Sequence, residues 1–348
     1  MQALKFIEPG TVRVVDVDVP KLPPGGVVVR TAFAGVCGSD VRTWRHGSTR
    51  LKGQQVLGHE ASGTIAESDA TGLPVGTRVA VCPGMPCLRC EQCQRGGVAW
   101  CPNRDSLGYD IPGAMAEYFA LPAVAIELGC VVRLPASLSL RTASLAEPLH
   151  TVLSGQDRAR IGHGQSVLVI GLGPIGTLHA AVAQSRGAGP VLAVDRLPER
   201  TDTAAAILTE MGVGVALAED ETIRDAAPTH GWDVVIVAAG SAAAITAGIG
   251  HASPGGTVLA FGGLPPDRPL VDVDFNRVHY QQLTLVGAFG GSPRHFRQAV
   301  SWLATSPLDG ATFITQTRDL PHAVEAFELV EQGTGLKTSL SVSAEDDN

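Results

Sequence analysis

The sequence has few aromatic residues and few charges. Phenylalanine, tyrosine and tryptophan make up 5% of the 348 residues, and 17% of the residues are charged. Glycine is abundant, with 41 residues, and the hydrophobic share of 45% is ordinary for a globular protein. This composition favours an α/β protein with tight turns over an aromatic-rich binding surface. A chain of this length is predicted to form two domains.

Basic residues are in deficit, and long apolar runs are missing. There are 26 Lys and Arg residues against 34 Asp and Glu residues, which gives a formal net charge of −8. The acidic balance argues against a nucleic-acid or anionic-membrane partner, and no apolar stretch reaches the length of a membrane span. The N-terminal residues do not read as a signal peptide, and we expect none. We therefore expect a cytoplasmic protein whose seven cysteines are metal ligands or free thiols.

A thiol, an imidazole and a carboxylate occur close together early in the chain. Cys37 begins a Cys-Gly-Ser-Asp sequence, residues 41–57 are expected to form a polar loop, and Gly-His59-Glu60 follows. Such a mixed set is typical of a catalytic zinc site that keeps one position open. Whether Glu60 binds the metal or orients a ligand stays open. Nearby glycines are expected to let the backbone turn sharply, namely Gly35, Gly38, Gly58 and Gly63.

Four further cysteines follow at short spacing, and they are Cys87, Cys90, Cys93 and Cys101. Four thiolates at this spacing can close a tetrahedron around one zinc ion, which leaves no open position. We therefore predict a structural zinc site, with an iron–sulfur site or four unrelated thiols as the alternatives. Cys82 and Cys130 fall outside the pattern and are predicted to be buried or unreactive.

A glycine-rich turn lies near the middle of the chain. The apolar run 167–170 predicts a buried parallel strand, and it leads into Gly171-Leu172-Gly173-Pro174-Ile175-Gly176 and then a helix. A strand, this turn and a helix in succession predict a dinucleotide-binding unit, in which the turn lets the pyrophosphate approach the helix N-terminus.

An acidic residue stands where such a unit binds the ribose. Asp195 ends the next predicted strand, 24 positions after Gly171, which is the spacing of a carboxylate that binds the ribose diol. Its charge would repel a 2′-phosphate, which favours NAD over NADP. Arg196 and Arg200 follow closely, and either could pair with such a phosphate.

The rest of the sequence divides into a region of short predicted strands and a region in which predicted strands alternate with predicted helices. Short strands are predicted in the first 35 residues and near 63–67, 76–81, 116–121 and 131–134, which indicates a small barrel. Alternating strands and helices after residue 164 predict a doubly wound parallel sheet. Glu147 lies in a helical pattern that begins near Leu140, and its position between these two regions makes it a candidate ligand or site wall. Residues 345–348 are expected to fray.

In order along the chain, these motifs resemble those of the zinc-dependent medium-chain dehydrogenase/reductase superfamily, and within it the sorbitol, threonine and sugar dehydrogenase branch. The resemblance also includes Glu147-Pro148-Leu149 and runs nearly from end to end. It implies a GroES-like β-barrel catalytic domain over 1–154, completed by 290–348. A Rossmann domain with a doubly wound parallel sheet would occupy 155–289. Members of this kind are commonly homodimers or homotetramers.

The resemblance further implies two zinc ions per chain, one structural at the four-cysteine motif and one catalytic. The catalytic zinc would be held by Cys37, His59 and either Glu60 or Glu147. Ser39 matches the hydroxyl residue that contacts the substrate oxygen, and it would accept the hydrogen bond of the substrate hydroxyl and pass the proton towards solvent.

One position departs from the pattern. Many relatives carry a proton-relaying histidine where this chain has Arg42, and a guanidinium stays charged. His46 or water could take over the relay, or Arg42 could hold an anionic or polar substrate.

The predicted reaction is hydride transfer between NAD(P) and a secondary alcohol of a polyol, sugar or cyclitol, reversible to the ketone. The candidate substrate contacts are Arg42, His46, Glu117 and His279. A threonine- or amino-alcohol-type dehydrogenase is one alternative. A catalytically silent dinucleotide-binding regulatory protein is the alternative from another class.

Overall fold

A computed structural model describes residues 1–51, 53–265, 267–306, 308 and 310–343. The expected fraying of residues 345–348 therefore lies outside the described residues. The strands are β1 (Gln2–Glu8), β2 (Thr11–Asp16), β3 (Val27–Gly35), β4 (Gln55–Val56), β5 (Glu60–Ser68), β6 (Arg78–Val81), β7 (Gly84–Met85), β8 (Asp105–Ser106), β9 (Tyr118–Leu121), β10 (Val131–Arg133), β11 (Val167–Ile170), β12 (Val191–Asp195), β13 (Gly214–Leu217), β14 (Trp232–Val237), β15 (Ala252–Ala260), β16 (Thr284–Gly287), β17 (Gln316–Asp319) and β18 (Thr338–Ser341).

The helices are α1 (Gly38–His46), α2 (Glu91–Gln94), α3 (Ala123–Glu127), α4 (Leu140–Ala143), α5 (Ala146–Ala159), α6 (Pro174–Ser185), α7 (Pro198–Leu208), α8 (Asp220–Asp225), α9 (Ala242–His251), α10 (Phe275–Tyr280), α11 (Pro293–Thr305), α12 (Gly310–Phe313) and α13 (Ala323–Gln332). Within the described ranges, none of the helices has both the length and the apolar character needed to cross a membrane. Short 3₁₀ turns cover Val98–Trp100, Thr209–Met211 and Leu320–His322.

The chain divides into two compact units. The first comprises Met1–His150 and Gly291–Asn348, and the second comprises Thr151–Gly290. The boundaries predicted from the sequence, 154 and 290, lie within a few residues of this division. The assignment of a catalytic role to the first unit and of a cofactor role to the second stays a prediction.

The first unit is built on a sheet that strands from both ends of the chain share. Its order is β10-β6-β5-β3-β18-β17, β9 also pairs with β3, and β2-β1-β4 form a smaller sheet. The C-terminal strand β18 pairs antiparallel with β3. The core beneath these strands contains Leu4, Phe6, Val12, Ala34, Val36, Val41, Trp44, Leu57, Met115, Leu320, Ala323, Ala326, Phe327 and Leu340.

The second unit confirms the predicted doubly wound sheet. Its strands run parallel in the order β13-β12-β11-β14-β15-β16. Strand β11 is buried throughout, as its unbroken apolar sequence predicted. The strand order reverses between β11 and β14, and the carboxyl end of a strand at such a point is where these sheets bind ligands. The glycine-rich turn follows β11 directly.

The segment after Cys37 differs from the sequence prediction. Residues expected to form a polar loop instead form α1, which buries Val41 and Trp44. A capping box begins the helix, because the Cys37 side chain accepts from the backbone of the first turn and the Asp40 side chain accepts from the Cys37 N–H. Gly47 ends it with a φ of 73°. Val41 and Trp44 are three positions apart, which places both on one face of the helix.

Phe327 should contribute strongly to the stability of the first unit. Its ring is fully buried and lies edge-on to Trp44, with 5.8 Å between ring centroids. Phe327→Ala is expected to lower the free energy of unfolding by about 3–5 kcal/mol, because it leaves a cavity. Phe327→Leu fills most of that space and should cost less than about 1.5 kcal/mol. Urea denaturation followed by tryptophan fluorescence measures both, and equal losses would contradict the packing role.

Candidate metal and cofactor sites

The first unit brings a thiol, an imidazole and a carboxylate together. The ligand atoms of Cys37, His59 and Glu60 all lie within 4.8 Å of one another. Cys37 caps α1, and His59 directly precedes β5, which begins at Glu60. This clustering is the geometry that the two sequence motifs predicted.

Glycines permit this clustering in two different ways. Gly58 has a φ of 100°, and a Cβ there would lie 2.7 Å from the backbone nitrogen of Met115. Gly35 stands opposite Glu60 across β3 and β5, and a Cβ would lie 2.0 Å from Glu60 Oε2. Gly35 is therefore required for close approach and not for the sharp turn that we predicted. Gly63 likewise allows close approach, here to the carbonyl of Arg30.

Asp40 connects the thiol and the imidazole. Its Oδ2 accepts a hydrogen bond of 3.0 Å from the Cys37 N–H, and its Oδ1 lies 3.2 Å from His59 Nδ1. This arrangement leaves His59 Nε2 on the side of Ser39, whose Oγ is 3.4 Å away. The carboxylate thus orients the ring of a candidate ligand. The capping-box spacing of Cys37 and Asp40 was visible in the sequence and could have revealed this role.

The electrostatics around His59 favour a cation. Burial alone would lower the pKa of His59, but the charges and hydrogen bonds of Asp40 and Cys37 outweigh it and raise the pKa well above its usual value. A zinc ion fits the same donor set, because sulfur, nitrogen and oxygen ligands are those that catalytic zinc takes.

Glu60 has a buried counterion that the sequence did not reveal. Lys337 Nζ is in ion-pair contact with Glu60 Oε2 and donates to the carbonyl of Val36 at 3.0 Å. Burial would lower the pKa of Lys337, but Glu60 and Cys37 raise it. Lys337 directly precedes β18, whereas Glu60 begins β5. No local sequence signal connects residues that are so far apart along the chain.

Glu147 lies near this group but is not part of it. It is on α5, with Oε1 3.9 Å from His150 Nδ1. Burial and the charge of Glu60 raise the pKa of Glu147 to about 7. Burial lowers the pKa of His150 to about 4, so that this ring is neutral at physiological pH. Because Glu147 is close enough for the charge of Glu60 to affect its pKa, it stays an alternative carboxylate ligand.

Tyr109 is a site residue that sequence reasoning missed. Its ring centroid lies 5.7 Å from that of His59 at an interplanar angle of 44°. Burial raises the pKa of its hydroxyl group. Nothing in the local sequence marks it, because the loop that carries it reaches His59 only through tertiary packing.

The other predicted substrate contacts have the following surroundings within their own units. Arg42 and His46 are exposed on α1. The Glu117 carboxylate accepts from the backbone N–H of Gln2 at 2.7 Å. His279 is on α10 and stacks against Tyr280, with 4.9 Å between centroids.

The four predicted cysteines form a second cluster. Their sulfur atoms all lie within 4.8 Å of one another, with 3.8 Å between Cys90 and Cys101 and 3.5 Å between Cys101 and Cys87. Sulfur atoms bound tetrahedrally to one zinc ion are about 3.8 Å apart, given Zn–S bonds of about 2.3 Å. Backbone hydrogen bonds from Arg89 and Cys90 lower the pKa of Cys87 to about 6.

Burial has the opposite effect within the same cluster. Burial and hydrogen bonds with the neighbouring thiols together raise the pKa of Cys93 to about 12. A metal cation would relieve this crowding of sulfur. Cys82 and Cys130 are buried outside both clusters, as predicted.

The glycine-rich turn of the second unit has one open side. Gly171 has a φ of 101° and packs against Ala239, and a Cβ at Gly176 would lie 1.7 Å from the Gly171 carbonyl oxygen. A Cβ at Gly173 would meet nothing within 4 Å. Gly173 caps α6, which begins with Pro174-Ile175. The open side at a helix N-terminus fits a pyrophosphate.

Asp195 is fixed beside this turn. Its Oδ2 accepts from the Leu172 N–H at 2.7 Å, and its Oδ1 accepts from the Leu197 N–H at 3.0 Å. Arg200 NH1 lies 3.7 Å from Oδ2, whereas Arg196 is exposed. The carboxylate is thus oriented by the backbone and already has Arg200 as a partner.

Removal of the Lys337 charge should destabilise the first unit. Lys337→Met leaves the Glu60 carboxylate buried without its counterion, and we expect a loss of about 3–5 kcal/mol in unfolding free energy. The double variant Lys337→Met/Glu60→Gln removes both charges and should recover most of the loss. Urea denaturation of chelator-treated protein measures these values. A double variant no more stable than Lys337→Met would contradict a role for the ion pair.

Two family models match the chain. The "Alcohol dehydrogenase GroES-like domain" matches residues 23–133, and "Zinc-binding dehydrogenase" matches residues 174–305. These matches confirm the predicted combination of a GroES-like domain with a Rossmann-type sheet.

Curated relatives and solved structures align over nearly the whole chain. D-xylulose reductase A of Aspergillus niger is 35% identical, and that of Aspergillus oryzae is 33% identical; each alignment covers 98% of this chain and 97% of the relative. An alcohol dehydrogenase from Thermus sp. ATN1 is 29% identical, with a TM-score of 0.86 and coverage of 99% of this chain and 100% of the other.

A zinc-binding dehydrogenase from Sinorhizobium meliloti, bound to NADP, is 27% identical, with a TM-score of 0.87 and coverage of 98% of each chain. The similarity to these proteins extends over both units. The chain therefore belongs to the zinc-dependent medium-chain dehydrogenase/reductase family and is an NAD(P)-dependent oxidoreductase.

Proposed function

We propose that this protein transfers a hydride between NAD(P) and a secondary alcohol of a polyol or sugar, reversibly to the ketone. The observation that carries the proposal is the group of Cys37, His59 and Glu60 with the Ser39 hydroxyl against His59. Relatives that match over nearly the whole chain include D-xylulose reductases, which supports a polyhydroxy substrate.

The donor sets support two zinc ions per chain. Cys37, His59 and Glu60 would hold the catalytic ion, with Glu147 as the alternative carboxylate, and the four-cysteine cluster would hold the structural ion. When bound to the first set, zinc supplies a Lewis acid that lowers the pKa of a coordinated hydroxyl group.

The residues of the chain have distinct tasks in this reaction. Ser39 accepts the hydrogen bond of the substrate hydroxyl and relays the proton towards solvent by giving up its own hydroxyl proton, since its Oγ lies beside His59 Nε2. Tyr109 lies against the His59 ring and keeps its own proton, because burial raises its pKa. Asp40 holds the His59 ring in place, and Lys337 balances the charge of Glu60.

The second unit would hold the dinucleotide, which supplies the hydride acceptor. The pyrophosphate fits the open side of the turn at Gly173, and Asp195 would bind the ribose diol. We propose a preference for NAD, because the buried Asp195 carboxylate would repel a 2′-phosphate. The pairing of Arg200 with Asp195 supports this preference, since it engages a guanidinium that could otherwise bind that phosphate.

We also propose that the protein works in the cytoplasm. All seven cysteines are free thiols, and cysteines that hold metal or stay reduced are typical of a reducing compartment.

Cys37→Ala should separate the two zinc sites. Bound zinc is expected to fall from two ions to one per chain, and reduction of NAD⁺ by xylitol should fall at least about 1,000-fold, because the catalytic ion loses a ligand. Metal analysis and steady-state kinetics measure both effects, with NADP⁺, aldoses, cyclitols and L-threonine assayed in parallel.

Cys130→Ala is the matched control, because this buried cysteine lies outside both clusters. It should keep both zinc ions and full activity. Wild-type protein that binds two zinc ions and NADH yet oxidises no polyol or sugar would refute the proposed substrate class. Turnover of L-threonine alone would favour an amino-alcohol dehydrogenase.

We propose a homo-oligomer that associates through the β16 edge of the second unit. No residue of α10 is buried, and no residue of β16 is buried either. The stretch around them exposes large apolar side chains, namely Leu270, Phe275, Tyr280, Leu285 and Phe289. An edge strand with exposed apolar side chains favours pairing with a second copy of the same strand.

Leu285→Arg should therefore reduce the oligomeric state. Leu285 is 46% exposed on β16, and a charge there would be buried in the proposed contact. Light scattering should give a multiple of 36.0 kDa for the wild type and a lower mass for the variant. Leu217→Arg, at the opposite edge strand β13, where Leu217 is 38% exposed, should keep the wild-type mass. A mass change with Leu217→Arg alone would place the contact at the other edge.

A further inference from the structure

A charged pair, Arg50 and Asp110, lies beside the Tyr109 ring. Arg50 NH2 is 3.3 Å from Asp110 Oδ2, and the Arg50 guanidinium carbon is 4.4 Å from the centroid of the Tyr109 ring. The Arg50 side chain is 39% exposed and that of Asp110 is 17% exposed. The pair is thus held in a fixed position while it still offers hydrogen-bonding groups to a ligand.

The loop that carries Tyr109 and Asp110 is fixed against the backbone that precedes His59. A Cβ at Gly108 would lie 2.7 Å from the Gly58 carbonyl oxygen, and a Cβ at Gly113 would lie 2.2 Å from the Leu57 carbonyl oxygen. The N–H groups of Tyr109 and Asp110 both donate to the Ser106 carbonyl. Since the loop has so little room to shift, Tyr109 and Asp110 keep their distance from His59.

This pair is at a suitable distance from the reacting position. Because the Tyr109 ring is 4.4 Å from the Arg50 carbon and 5.7 Å from the His59 ring, Arg50 lies at most about 10 Å from His59. A five- or six-carbon polyol in extended form has a comparable length, given C–C bonds of about 1.5 Å. One secondary hydroxyl can therefore sit at Ser39 while another hydroxyl group reaches Arg50 or Asp110.

We propose that Arg50, Asp110 and Tyr109 form a specificity subsite that binds the hydroxyl groups beyond the reacting carbon. The guanidinium donates to hydroxyl oxygens, the carboxylate accepts from hydroxyl groups, and the ring covers the carbon chain. This inference rests on the proposed function and adds a reason why a polyol would be preferred to a simple secondary alcohol.

The charges favour a neutral substrate over an anionic one. Asp110 already balances Arg50, so an incoming phosphate or carboxylate would have to displace it or stand beside it. The nearby Arg104 donates to the Ala99 carbonyl at 3.4 Å, and burial together with the charge of Arg50 lowers its pKa. Its guanidinium would favour an anion, so a phosphorylated polyol belongs in the test.

The test compares two substrates with the same carbon skeleton, xylitol and 2-pentanol, in the zinc-loaded full-length enzyme. Arg50→Ala is expected to lower the ratio of kcat/KM for xylitol to kcat/KM for 2-pentanol by about 10- to 100-fold, because hydrogen bonds to a charged group are lost. Asp110→Asn, which keeps the side-chain shape, should lower the same ratio in the same direction.

Arg45→Ala is the matched control. Arg45 also stacks on an aromatic ring, at 3.7 Å from the Trp44 centroid, and it pairs with Glu331 through a 2.6 Å hydrogen bond. Its removal deletes the same two kinds of contact but should leave the substrate ratio unchanged.

Three outcomes would overturn the subsite. A ratio that stays constant in Arg50→Ala and Asp110→Asn would mean that the pair only supports the loop. Xylitol 5-phosphate preferred to xylitol in the wild type, with the preference lost in Arg50→Ala, would make the pair an anion site. A wild type that oxidises 2-pentanol but not xylitol would refute the proposed polyol substrate and the subsite together, whereas a constant ratio refutes the subsite alone.

Discussion

The close approach of Gly35 to Glu60 across β3 and β5 is the constraint on which the candidate metal site depends. The pairing register places the end of β3, which leads into Cys37, beside the start of β5, which follows His59. Burial of a carboxylate at this contact is costly unless a counterion is buried with it. Lys337 supplies that charge from just before β18, so the site requires the C-terminal strand as well as the N-terminal motifs.

The two cysteine-containing clusters differ in whether a bound metal ion would keep a coordination position free. The four-cysteine cluster has only sulfur atoms at tetrahedral spacing, and four such ligands complete the coordination of one ion. The group at Cys37 has three unlike candidate ligands with a hydroxyl beside one of them, so that a bound ion would keep a further position for a substrate oxygen. The proposed division between a structural and a chemical role thus rests on ligand number and type.

Local patterns predicted much of this structure, whereas contacts between distant segments did not follow from them. The four cysteines and the glycine-rich turn are visible in the sequence because each acts over a short stretch whose spacing sets its geometry. Lys337 and Tyr109 gave no signal, because their roles depend on tertiary packing against Glu60 and His59. Helix α1 was missed for another reason, since its polar residues concealed a short buried face and a capping box that begins with a cysteine.

The position of β18 has a consequence for the order in which the protein can fold during synthesis. This strand lies between β3 and β17 in the sheet but is synthesised after β3 and after the whole of the second unit. The second unit, Thr151–Gly290, is complete before β18 exists. Until then, the first unit lacks both a central strand and the counterion of Glu60. Its long-range pairing makes it the slower unit to form, and Glu60 acquires its buried charge partner only after the second unit and Lys337 have been translated.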